Sequence, residues 1–197
     1  MNKSLEDIAR DFKSQIFLPE QKLQKQAFFC PVGLVGSGKT TITKPISDSL
    51  GLVRISSDEL RKILKENGYA YDPVKDIVFN IAGDFAKQKY SISFDMDCGN
   101  PEVKEFVDIL VQKLKAEAFW VYVNTPEAYI FEKFRKHPPS WLSDNPETMI
   151  NNYRIQKEKR LKENISFNFS FTFDASRPDL KDQINECIKL INAKSVG

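Results

Sequence analysis

Residues 32–51 read VGLVGSGKTTITKPISDSLG, and the spacing of Gly33, Gly38, Lys39 and Thr40 within them decides the fold. In the pattern G-x-x-x-x-G-K-[ST], glycines let successive backbone N–H groups curl around anionic oxygens at a helix N-terminus. The lysine then reaches the β- and γ-phosphates, and the following hydroxyl is suited to Mg²⁺. Gly33, Val35, Gly36, Ser37, Gly38, Lys39, Thr40 and Thr41 are therefore the expected nucleotide contacts. The setting agrees with the motif. AFFCPV (27–32) is a continuous apolar run, as in a strand buried on both faces, and a helical segment follows as far as Gly51. Two prolines stand out. Pro31 lacks the N–H of a central strand, so the strand is expected to end early there. Pro45 falls in the second turn of the helix, where proline costs about 3 kcal/mol and kinks the axis.

Outward from the loop, strands and helices alternate, which predicts a parallel sheet. LVRIS (52–56), YSISFDM (90–96), AFWVYV (118–123) and FNFSFTFD (167–174) read as further strands. In the last, Phe167, Phe169, Phe171 and Phe173 alternate with polar residues, the pattern of an edge strand with one buried face. Residues 102–115, 127–135, 146–162 and 180–191 have helical apolar spacing. Leu5, Ile8, Phe12 and Ile16 predict an amphipathic helix ahead of the loop that ends near Pro19, within an N-terminal extension over 1–20.

A phosphate loop alone leaves the fate of the phosphate open. A guanine-reading N-K-x-D stretch is missing, and the one D-x-x-G, Asp48 to Gly51, falls at a helix end, where a capping glycine explains it. A GTP-dependent switch is thereby disfavoured. RISSDELRKIL (54–64) points to transfer instead. Asp58 and Arg61 share one face of a first helical turn directly after a strand. A carboxylate there can take a proton from an acceptor hydroxyl, and an arginine can hold a phosphate. Helix capping by serine or aspartate is the competing explanation.

GLVGSGKTT, RISSDELRKIL and SISFDMDCGNPEVKEF together resemble the P-loop kinases grouped with polynucleotide 5′-kinase, zeta toxin and chloramphenicol phosphotransferase. The resemblance runs from about Ala27 to Ile191. It implies a three-layer α/β P-loop NTPase fold, with a five-stranded parallel sheet in the order 2-3-1-4-5 and helices on both faces. ATP and Mg²⁺ are the implied cofactors. Asp58 is implied as general base, and Arg61 as a contact to acceptor or phosphate. Asp95 holds the position of the aspartate ending the family's third strand and is implied, with Thr40, at the metal. The threonine and asparagine that follow it in the family are replaced by Asp97 and Cys98, so their acceptor contacts have no counterpart. Asp97 reads either as a solvated loop acid or as a second base.

Residues 134–160 resemble the lid of such kinases, a helical hairpin that closes over the nucleotide and excludes water. Arg135 and Arg154 are its candidate phosphate or base contacts. His137 beside Pro138 and Pro139 reads as structural or solvated. Ser176 and Arg177 follow the last strand, where the family borders the adenine; an ordinary strand-to-helix turn would place them equally well.

At 197 residues, 41% hydrophobic and with a formal charge of +2, the sequence suits one globular domain over 1–197. Net charge does not point to nucleic acid, and KEKRLK (157–162) reads as a solvated helix face, with nucleic-acid contact the lesser alternative. Cys30, Cys98 and Cys187 are odd in number and lack metal-ligand spacing, which suggests a reducing compartment. No stretch has the length and hydropathy of a membrane span or a signal peptide, so the expected location is cytoplasmic, with no membrane partner. The expected activity is transfer of the ATP γ-phosphoryl group to a hydroxyl of a small-molecule, nucleotide or nucleic-acid acceptor. The alternative is an ATP-binding regulatory module that transfers nothing or hydrolyses weakly.

Overall fold

The computed structural model describes residues 3–137 and 145–195. Five parallel strands form one sheet: β1 (Ala27–Val32), β2 (Val53–Ser56), β3 (Ile92–Asp95), β4 (Glu117–Val123) and β5 (Phe171–Phe173). Their order is β2-β3-β1-β4-β5, as the resemblance implied. The helices are α1 (Leu5–Gln15), α2 (Lys39–Leu50), α3 (Ser57–Glu66), α4 (Val74–Lys87), α5 (Pro101–Leu114), α6 (Glu127–Lys136), α7 (Pro146–Glu163) and α8 (Leu180–Ser195).

Alternation along β1 supplies both cores. Phe28, Cys30 and Val32 face a core shared with α1, α3, α4 and α5, whereas Ala27 and Phe29 face a second core with α2 and α8. Strands covered on both faces carry continuous apolar runs for this reason. A third, smaller cluster of Ile130, Phe134, Met149, Ile150 and Tyr153 joins α6 to α7 and meets Leu34 and Val35 of the phosphate loop.

Pro31 does not end β1. The strand continues to Val32, with Pro31 paired opposite Val121 of β4. Pairing with β3 covers only Phe28 and Phe29, so the missing N–H of Pro31 falls beyond that ladder, and its carbonyl accepts from Cys98 N at 2.9 Å. Likewise Pro45 does not interrupt α2. Thr41 and Pro45 are both exposed, so water can take the carbonyl that proline leaves without a donor.

The fifth strand is shorter than the phenylalanine alternation predicts. Only Phe171–Phe173 pair with β4, and a bend at Ser170 changes the face being covered. Phe167 and Phe169 pack on the α5 side, against Trp120 and Tyr122 with ring centroids 5.1 Å apart in each pair, while Phe171 and Phe173 join the α8 side. The edge position is as expected. In α1, Ser4 accepts from Asp7 N at 3.1 Å, and Ile8 and Phe12 are buried. The helix closes at Gln15, short of Pro19. Helix α4 was not singled out from sequence, although Val74, Ile77, Val78, Ile81, Ala82 and Phe85 bury one face.

Candidate active site

The loop between β1 and α2 is held by backbone conformation and by packed neighbours on the sides turned away from solvent. Gly36 and Gly38 have φ of +78° and +101°, which side chains disfavour. A Cβ on Gly36 would also lie 2.5 Å from Phe134, and one on Gly38 2.7 Å from Ala175. The resulting cradle is bare backbone. Lys39 Nζ donates to Gly33 O and Leu34 O, both at 2.9 Å, which holds it folded over the loop. Buried Thr125 donates to Ser37 O at 2.7 Å and accepts from Ala175 N at 3.1 Å, stitching the loop to the ends of β4 and β5. Sequence reading did not single out Thr125.

Thr40 Oγ1 donates to Asp95 Oδ1 at 2.9 Å. The pairing of Ser56 with Asp95 sets that carboxylate at the C-terminal end of β3, beside the first turn of α2. Asp95 is buried, and Arg54 on β2 donates to its Oδ2 at 2.5 Å. Burial works against the charge on Arg54, but Glu59 and Asp95 together hold its guanidinium above its usual value. A buried carboxylate needs such a partner. Hydroxyl and carboxylate oxygens suit Mg²⁺, which takes few protein ligands and shares the rest between phosphates and water. Thr40 and Asp95 thus fit the ion in chemistry, and the glycine cradle fits a nucleotide phosphate.

On α3 the two explanations of SSDELR separate. Ser56 caps the helix by accepting from Glu59 N, so Asp58 is not the cap. Asp58 instead projects into the cleft and pairs with Arg61 at 2.7 Å, while Arg61 also donates to Ser57 Oγ at 2.8 Å.

Asp97 is held by three donors rather than left as a free loop acid. Its Oδ1 accepts from Gly33 N at 3.2 Å and Gly99 N at 3.0 Å, and its Oδ2 pairs with Arg160 of α7. Cys98 is fully buried against Cys30; desolvation, reinforced by that neighbouring thiol, pushes its own thiol well above the usual range. It packs in the core and cannot reach an acceptor. All three cysteines are free and buried.

These elements surround a cleft of about 830 Å³. Gly36, Gly38, Lys39, Thr40 and Thr41 line its floor, Asp58, Arg61 and Asp95 one side, and Lys133, Phe134, His137 and Arg160 the other. Two expected lid arginines lie outside this lining. Arg135 stands 3.7 Å from Glu147 with both side chains exposed, and Arg154 sits 5.6 Å from the Phe131 ring centroid. Arg160 is the α7 arginine that reaches the cleft, and the sequence reading missed it. Ser176 and Arg177 also stay out of the lining. Ser176 bonds Asp174, and Arg177 forms a two-point pair with Asp179 at 3.0 and 2.7 Å. Their neighbour Ala175 is the residue that abuts Gly38. The middle of the expected lid, residues 138–144, lies outside the described residues. Among the described residues no helix is long and apolar enough to cross a membrane.

A family profile described as an AAA domain matches residues 29–154, more than half of the chain. Similar solved structures include the APS kinase CysC of Mycobacterium tuberculosis in complex with AMPPNP and APS, 16% identical, with a TM-score of 0.56 over 85% of this chain and 98% of that one. A shikimate kinase from Acinetobacter baumannii in complex with shikimate is 17% identical, with a TM-score of 0.53 over 96% and 99%. A gluconokinase from Sinorhizobium meliloti is 12% identical, with a TM-score of 0.52 over 89% and 95%. Among curated proteins none matches the chain by sequence. With its phosphate loop between β1 and α2, its 2-3-1-4-5 sheet and these neighbours, the chain belongs to the AAA domain family and has the fold of the P-loop kinases.

Proposed function

We propose that this chain is an ATP-dependent phosphotransferase that moves the γ-phosphoryl group to a hydroxyl of a small-molecule, nucleotide or nucleic-acid acceptor. The observation that carries the reading is that Asp58, outside the helix cap and facing the cleft, shares it with Lys39 and Thr40. The kinases among the structural neighbours support it at the level of the fold.

The loop backbone and Lys39 hold the triphosphate, and Lys39 exchanges its two carbonyl partners for phosphate oxygens. Asp58 orients the acceptor and takes its proton as the acceptor oxygen bonds to the γ-phosphorus and the bond to the ADP oxygen breaks. Thr40 and Asp95 would hold Mg²⁺, which would supply charge neutralisation on the phosphate oxygens. Arg61 and Arg160 add fixed donors where negative charge gathers. Arg135 and Arg154 serve this role only if the lid moves them inward. The turn of Ala175, Ser176 and Arg177 is the proposed border of the base.

The test is incubation of the protein with Mg-ATP and a broad pool of metabolites and oligonucleotides, with mass spectrometry of the products. A species heavier by one phosphoryl group is the expected result. Nucleotide binding without any such product would instead identify a regulatory module.

A further inference from the structure

Asp97 connects parts of the cleft that have no sequence relation. Gly33, whose backbone N–H donates to Asp97, opens the phosphate loop, and Arg160, another partner, lies in the last turn of α7. Gly99 adds a second constraint: a Cβ there would lie 2.0 Å from an Arg160 terminal nitrogen, so the guanidinium rests on bare backbone. The pair is not a solvated surface contact, since the Arg160 and Asp97 side chains are 24% and 30% exposed. Of the other acids lining the cleft, Asp58 pairs with Arg61, Asp95 with Thr40 and Arg54, and Glu163 with Lys159, while Asp72 is exposed.

Charge makes this arrangement consequential. A lone carboxylate bonded to the first residue of a phosphate loop repels the phosphates that the loop holds. Pairing with Arg160 cancels that charge, and the other donors of the guanidinium stay available to the cleft. Resting on the reading of this cleft as a nucleotide site, we propose that Asp97 is a positioning residue that couples α7 to the phosphate loop through Arg160, and that Arg160 offsets the Asp97 charge when nucleotide binds.

Two measurements decide it. In the nucleotide-free chain, Asp97→Asn keeps an acceptor for the backbone N–H groups but turns an NH₂ toward Arg160. Hydrogen exchange should then quicken together in residues 33–38 and 156–163, by about tenfold in each. Faster exchange in only one segment, or in neither, overturns the coupling. In calorimetric titration with Mg-ATP, Arg160→Gln should weaken binding by about ten- to a hundredfold, because it leaves Asp97 uncompensated. Adding Asp97→Asn to Arg160→Gln should then restore part of the affinity. A double variant as weak as the product of the two single effects, or weaker, overturns the charge-offset role. If the wild-type chain does not bind Mg-ATP, the functional reading fails, the charge-offset role falls with it, and the exchange measurement alone decides the coupling.

Discussion

The two walls of the cleft are built in opposite ways. The loop wall is backbone: glycine-lined and stitched by Thr125, with Asp95 and Asp97 fastened to the start of α2 and to Gly33. The wall made by α6 and α7, the proposed lid, is side chain. Helix α7 is polar on nearly every face, Ile155 and Leu161 are exposed, and among the described residues α6 and α7 meet the body through one small apolar cluster and the Arg160–Asp97 pair. A wall held by backbone geometry keeps its shape with or without ligand. A wall held by few contacts opens at low free-energy cost, as a lid requires.

Truncation of the lid cluster is the strongest way to break this contrast. Phe134→Ala removes a buried ring that touches the loop at Gly36, at a cost of about 3–5 kcal/mol. The contrast predicts local opening of α6 and α7, read by hydrogen exchange, with a smaller shift in global melting temperature than Phe94→Ala produces in the main core. Equal global shifts would show that lid and body unfold as one unit.

Lys39→Ala addresses the loop wall. It deletes a charge-assisted contact of about 1.5–3 kcal/mol, so Mg-ATP affinity should fall by about ten- to a hundredfold while the melting temperature of the free protein changes little. Thr125→Val sharpens the same point from behind the loop. Ser37 O and Ala175 N lose a buried partner, and stability should drop by about 1–3 kcal/mol in denaturant titration. Arg154→Ala, on the outer side of the lid, should alter stability by no more than about 0.5 kcal/mol and leave nucleotide affinity unchanged.

The smallest effect is one of pH. Burial pushes the Cys187 thiol up to about 12 from an ordinary 9.0. The unfolded chain therefore releases this proton first, and its contribution to stability, complete below pH 9, declines as pH rises toward 12. Cys187→Ala should flatten that decline in melting temperature, and an unchanged slope would exclude the thiol as its source.

Legibility followed the same division. Glycine spacing, strand–helix alternation and the SSDELR turn are local patterns, and they read correctly as a loop, a parallel sheet and a carboxylate after β2. The strand order came from the family resemblance. What escaped depends on rotation and on distant partners. Basic residues recur along α7, so nothing in the sequence says that the helix turns Arg160 inward and Arg154 outward. Asp97 looked like a loose loop acid because both the N–H of Gly33 and Arg160 reach it only after folding, across 64 and 63 residues of sequence. The phenylalanine alternation was real, but a bend at Ser170 split it between two faces. Pro31 was misread because which side of β1 lacks a neighbour is a property of the sheet.

The central claim is that nucleotide holding and proton removal belong to different residues of one cleft, and Asp58→Asn tests it most directly. Transfer from Mg-ATP to the acceptor pool should fall by about 10²–10⁴-fold, with Mg-ATP affinity within twofold of wild type. Undiminished product would contradict the assignment of Asp58 as base, and loss of binding together with transfer would contradict the separation of the two roles.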